Sequence, residues 1–149
     1  MRLEHEIHQK KFRSDQQKAV VNLLYTSGFL ANLFNEKAKD FHITRQQYNV
    51  LRILKGQLPK SASINLIKDR MLDKMSDASR IVERLRLKHL VERKICDTDK
   101  RAVEITITEK GLKLLLEMDP AINSVDEVFN RFTNHELDVF NNLLDKMRG

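Results

Sequence analysis

The hydrophobic period changes once along this chain. Over residues 73–90, Met75, Ala78, Ile81, Val82 and Leu85 gather on one side of a helical projection, and Ser76, Asp77, Arg80 and Arg84 lie on the other. Beyond it, Val103, Ile105 and Ile107 alternate with Ala102, Glu104, Thr106 and Thr108, the pattern of a strand with one buried face. Residues 91–96 are a shorter strand candidate. The polar, turn-prone run Asp97-Thr98-Asp99-Lys100-Arg101 between them closes a hairpin. An amphipathic helix leading directly into a half-buried hairpin must bury both apolar faces against one core.

The remaining elements follow from their starts. Ser14 with Gln17, Thr44 with Gln47, and Thr133 with Glu136 have the spacing of a capping box, and Ser63 caps a short helix containing Ile64, Ile67 and Met71. The helix after Ser14 carries Val20, Leu24, Ala31, Phe34 and Ala38, and Val21, Leu23, Leu30 and Leu33 widen its apolar stripe beyond one face. The helix after Thr44 bears Tyr48, Leu51 and Leu54 and is expected to stop near Gly56. Thr108 and Glu109 start a helix with Leu112, Leu115 and Leu116, and Pro120 predicts a kink or restart before Ile122, Val125 and Phe129. Leu137, Phe140, Leu144 and Met147 mark the last helix. The order is helix, helix, short helix, helix, β-hairpin, helix, helix: mainly α with a small β-hairpin wing (α+β), a winged helix-turn-helix.

At 149 residues there is room for one domain with a sizeable core. Four Gly and two Pro argue against collagen-like or turn-dense all-β architectures. The formal charge is +6, and it is uneven: residues 60–101 hold 12 Lys and Arg against 7 Asp and Glu, residues 102–149 hold 5 against 9. That places an anion-facing surface in the middle segment. Glu4 and Glu6 stand where a signal peptide needs an apolar run, no stretch has the length of a membrane span, and the single Cys96 has no disulfide partner. A cytoplasmic location away from membranes is expected. Gly28, Gly56, Gly111 and Gly149 are isolated, and no phosphate loop or nucleophile elbow is present, so the chain does not read as an enzyme and calls for no cofactor.

A helix with one apolar face and an arginine-bearing opposite face suits the major groove of DNA. Arg80 and Arg84 reach phosphates or guanine edges in such a docking, and Ser76 and Asp77 contact bases or orient the helix. Ser63 and Asn65, opening the short helix, complete the helical part of the candidate set. Asp99, Lys100 and Arg101 at the hairpin tip form a wing suited to an adjacent minor groove.

The run Ser76-Asp77-Ala78-Ser79-Arg80-Ile81-Val82-Glu83-Arg84-Leu85, then Leu90-Val91-Glu92-Arg93, then Asp97-Thr98-Asp99-Lys100-Arg101-Ala102-Val103, then Ile107-Thr108-Glu109-Lys110-Gly111, closely resembles the MarR family of bacterial transcription regulators. The match covers roughly residues 44–116. The resemblance implies a homodimer joined through its N- and C-terminal helices, about residues 1–41 and 117–149, with a DNA-binding lobe over about 42–116. It also implies a pseudo-palindromic double-stranded operator, wings in the flanking minor grooves with Arg101 as the contact oriented by Asp99, and a small-molecule effector relieving repression. Tyr25, Phe29 and Tyr48 are candidates for lining the effector pocket, with core packing the expected role of each.

Two other readings compete. A redox- or metal-sensing regulator would use Cys96, beside Arg93 and Lys94, or His5 and His8, one helical turn apart; neither forms a complete set, and metal ligands are expected to be none. A winged-helix assembly module without DNA would leave the basic wing without a role.

Overall fold

The structure, a computed structural model, describes residues 2–95 and 103–149. A one-turn helix α1 (Leu3–Glu6) precedes the long α2 (Asp15–Ala38), whose end tightens into a 3₁₀ turn (Lys39–Phe41). There follow α3 (Arg45–Gln57), α4 (Ile64–Arg70), α5 (Ala78–Leu87), the strands β1 (Val91–Ile95) and β2 (Val103–Ile107), α6 (Glu109–Asn123), a 3₁₀ turn (Ser124–Phe129) and α7 (Asn134–Arg148). The expected tip of the hairpin, with Cys96, Asp99, Lys100 and Arg101, lies outside the described residues.

Side-chain oxygens set where the helices begin. Thr44 and Thr133 form reciprocal capping boxes with Gln47 and Glu136. Ser14 accepts from the Gln17 N–H at 3.1 Å, but the returning arm lands one residue earlier, where the Arg13 N–H donates to Gln17 Oε1 at 2.7 Å. Ser63 and Thr108 cap α4 and α6 through the N–H groups of Leu66 and Gly111, each at 3.1 Å.

Two expected boundaries move, and a third holds. The helix expected over residues 73–90 spans only Ala78–Leu87. Asp73 and Asp77 both turn their carboxylates onto the backbone ahead of them, Asp73 accepting from Met75 N–H and Asp77 from Arg80 N–H, each at 3.1 Å, so the stretch between them is a turn. Met75, counted on the apolar side of that helix, is instead 94% exposed. Helix α3 ends at Gln57, next to Gly56 as expected, and Leu58 leaves with ψ 139° because the ring of Pro59 disfavours helical geometry in the residue before it. Helix α6 passes through Pro120 without restarting. Fully buried Met118, the Asp119 carboxylate accepting from Arg52 Nη1 at 3.3 Å, and Ile122 packed on the core hold both sides of the missing hydrogen bond.

The core lies in the middle lobe. Val50, Leu51 and Leu54 of α3, Ile67 of α4, Met71 just after it, Ala78, Val82 and Leu85 of α5, Ile105 and Ile107 of β2, and Leu115 and Met118 of α6 form one buried cluster. Val91 pairs with Ile107 and Ile95 with Val103 in an antiparallel ladder. As the alternation predicts, Ile105 and Ile107 face inward, while of β1 only Val91 is buried. Ala62 exchanges two hydrogen bonds of 2.9 Å with Ile105 and joins β2 on its other side.

The helix α5 ends in a Schellman motif. The Leu90 N–H reaches back to the Leu85 carbonyl at 3.0 Å and the His89 N–H to that of Arg86 at 2.9 Å, with His89 left-handed at φ 60° where glycine is usual. Gly111 sits directly against this turn: a Cβ there would lie 2.4 Å from the Leu90 carbonyl oxygen and 2.7 Å from Ile107 Cγ1. The Thr108-x-x-Gly111 pattern is thereby accounted for. Thr108 caps α6 and its hydroxyl donates to the His89 carbonyl at 2.9 Å, and Gly111 lets the helix start pass beside it.

Outside the lobe, α2 buries only Ala38 and α7 buries nothing. Val20, Leu24, Tyr25 and Phe29 of α2 and Val139, Phe140, Leu143 and Met147 of α7 are exposed. No helix is long and apolar enough to cross a membrane among the described residues.

Candidate nucleic-acid interface

Helices α4 and α5 are joined by a turn that sets how α5 is presented. Its hub is Asp73. The carboxyl is held below its ordinary value by the adjacent Ser76 side chain, by the Met75 N–H, which donates to it at 3.1 Å, and by Gln46 and Arg45 beside it, against a smaller opposing effect of burial. The turn is also tied to α3, because the Leu72 N–H donates to Asn49 Oδ1 at 2.9 Å. Behind α5, Ala78, Val82 and Leu85 are locked in the core. The opposite face therefore stands outward in a fixed orientation.

On that face Asp77 serves as the N-cap and Ser79, Arg80 and Arg84 are exposed. Ser76, Asp77, Arg80, Ile81 and Arg84 line one wall of a groove of about 330 Å³, and Thr44 and Gln46 of the α3 start line the other. The carboxylates near the arginines are committed elsewhere. Glu83 accepts two bonds from Arg86, at 2.9 and 2.7 Å, and is held below its ordinary value chiefly by that contact. Asp77 accepts from the backbone. Among the described residues Arg80 and Arg84 make no ion pair.

Ser63 and Asn65 are exposed on the first turn of α4, Ser63 as its N-cap, and are not among the residues lining the α5 groove. Sequence reasoning missed Thr44, Gln46 and Asp73. The signal for Asp73 was present, since an aspartate two residues ahead of a free N–H favours an Asx turn; for the other two only the packing of α3 beside α5 brings them in.

The aromatic candidates divide. Tyr48 packs edge-on against Phe34, centroids 5.2 Å apart, and burial raises its phenol above its ordinary value. Tyr25 and Phe29 do not take the expected core role: both are exposed on α2, and the Tyr25 hydroxyl donates to Glu6 at 2.8 Å. The histidines serve the backbone: His8, His42 and His89 all adopt positive φ, and the His42 carbonyl accepts from Lys88 Nζ.

No protein-family model matches the chain. Solved structures do. A MarR transcription factor from Planctomyces limnophilus superposes with a TM-score of 0.68 at 28% identity, over 93% of this chain and 98% of that one. BpsR of Bordetella bronchiseptica, whose DNA binding is regulated by 6-hydroxynicotinic acid, gives 0.73 at 24%, over 88% and 99%. The fold is that of the MarR-family transcription regulators. An organohalide-sensing regulator of the same fold, in a 2,4-dichlorophenol-bound form, gives a TM-score of 0.82 at 17% identity, over 94% of this chain and 85% of that one. In this MarR-like fold α4 and α5 are the helix-turn-helix and β1 and β2 the wing.

Proposed function

We propose that the chain is a sequence-specific DNA-binding transcription regulator that acts as a homodimer on a pseudo-palindromic operator. The observation that carries this reading is the pair Arg80 and Arg84, without an ion pair among the described residues, on the outward face of a helix whose other face is fixed in the core. Two exposed guanidiniums held rigidly 4 residues apart on a helix are placed for phosphates or for the O6 and N7 acceptors of guanine. Ser76, Asp77 and Ser79 stand beside them, and Ser63 and Asn65 on α4 face the flanking backbone. Asp99, Lys100 and Arg101 form the wing contact in the adjoining minor groove.

The two-fold arrangement is supported by the bare apolar faces of α2 and α7. Between them runs a groove of about 630 Å³ whose walls include Val20, Leu23, Phe140, Leu143, Leu144 and Met147. A second copy seated on residues 1–41 and 117–149 covers it, leaving residues 42–116 as the reading lobe. Two lobes then meet half-sites about 34 Å apart, one helical turn of DNA. The neighbours regulated by or bound to small aromatic compounds support an effector that shifts the spacing of the lobes and relieves repression, for which a coupling of about 1–3 kcal/mol is sufficient.

The test is fluorescence anisotropy against the duplex upstream of the protein's own coding sequence, with a scrambled duplex as control, at about 150 mM salt, where non-specific phosphate contacts weaken. Arg80→Ala is expected to lose about 1–3 kcal/mol on the native duplex. If Arg80→Ala and Arg101→Ala both bind it like the wild type, the docking is wrong.

A further inference from the structure

The two most exposed large apolar side chains among the described residues stand three positions apart in the turn before α5: Leu72 at 86% and Met75 at 94%. Single apolar residues on a surface are ordinary. What sets Met75 apart is that it is held out by construction. Its own N–H is bound by Asp73 at 3.1 Å, the Ser76 N–H donates to the Asp73 carbonyl at 3.3 Å, Lys74 Nζ donates to the Asp69 carbonyl, and the Leu72 N–H is taken by Asn49. A turn with that many internal bonds has its side-chain directions set, so Met75 is not a loop residue that folds back on the protein.

The surroundings identify what it meets. Leu72 borders a polar cleft shared with Ser27, Arg45, Gln46 and Asn49, on the α2 and α3 side. Met75 is next in sequence to Ser76, on the groove wall with Arg80 and Arg84. It stands exposed in the turn just ahead of the N-terminal end of α5, the end that approaches base edges when such a helix enters a major groove. The apolar group found there, set among phosphates and polar edges, is the thymine C5-methyl.

We infer that Met75 is a specificity-determining residue that contacts a thymine methyl in each half-site; the inference rests on the DNA-binding reading above. The thioether chain is flexible and polarisable, so it covers a methyl without demanding a single approach angle.

The test uses the full chain and a duplex selected from random sequence by the wild-type protein. The selected duplex is resynthesised with deoxyuridine at one thymine at a time, a change that removes only the C5-methyl. The wild type is expected to lose about fourfold in affinity at one position per half-site, the effect of uncovering one methyl group. Met75→Ala, which removes the contact in both half-sites of the dimer, is expected to lose about sixteenfold on the thymine duplex and to be indifferent to deoxyuridine there, while Met75→Leu keeps the response. Equal deoxyuridine responses in wild type and Met75→Ala, with Arg80→Ala still impaired, overturn this inference alone. If no duplex is enriched, or Arg80→Ala binds the selected one like the wild type, the DNA-binding reading itself falls. Binding to phosphatidylglycerol–phosphatidylcholine vesicles that is lost in Met75→Ala reassigns the turn to a membrane surface and also overturns it.

Discussion

Single residues carry constraints here that their neighbours cannot absorb. Gly111 is the sharpest case. The Leu90 carbonyl and Ile107 occupy the space a Cβ needs, and one of those two obstacles is backbone in a hydrogen-bonded turn. Gly111→Ala is therefore expected to destabilise the fold by about 1–3 kcal/mol, the range for overpacking a well-filled site, read as a fall in the urea midpoint. His89 presents the opposite situation. It holds a left-handed position that costs a non-glycine residue more than glycine's extra chain entropy costs, so His89→Gly is expected to raise stability by about 1 kcal/mol in the same titration. The Thr-x-x-Gly spacing was readable from the chain, but its cause was not. Gly111 meets Leu90 across 21 positions, and no local pattern records which backbone a helix start will press against.

At the scale of elements, the capped starts were legible, and the start of α5 and the course of α6 past Pro120 were not. Every expected cap formed because a cap is settled by residues three apart, within reach of one side chain. The start of α5 was read too early since periodicity registers Met75 as apolar without seeing that Asp73 and Asp77 both claim the backbone N–H groups around it. Helix α6 ran through Pro120 for the converse reason, tertiary contacts on both sides outweighing one lost hydrogen bond. The cap of α7 makes a pH prediction. Thr133 donates through its N–H, at 2.8 Å, and its hydroxyl, at 3.0 Å, to the Glu136 carboxylate, chiefly the former holding its pKa below the ordinary 4.5. A carboxylate depressed in the folded state stabilises fully above its unfolded pKa and loses that contribution as pH falls through the folded one. Between pH 6 and pH 3 the urea midpoint of the wild type is expected to fall further than that of Glu136→Gln, which keeps an acceptor but no charge. Equal slopes would remove Glu136 from the acid response.

The whole molecule divides into a lobe with a complete core and two helices, α2 and α7, without one. Their exposed leucines, valines and phenylalanines are the surface that the proposed second copy would cover. Like charges placed in the groove, Leu143→Arg together with Val20→Arg on the facing wall, are expected to give a monomer by sedimentation velocity, with the lobe still folded by near-identical hairpin chemical shifts. A dimer surviving both substitutions would move the interface elsewhere. At this scale the sequence by itself determined the element order, the caps, the single change of period and the surplus of apolar residues on the first helix, because each depends on residues within one or two turns of each other. Only the tertiary structure decided that Glu83 is taken by Arg86 and leaves Arg80 and Arg84 without an ion pair among the described residues, that the α3 start walls the same groove, and that Met75 is exposed. Charge pairing and exposure depend on which distant segments arrive beside a side chain, and spacing along the chain does not encode that arrival.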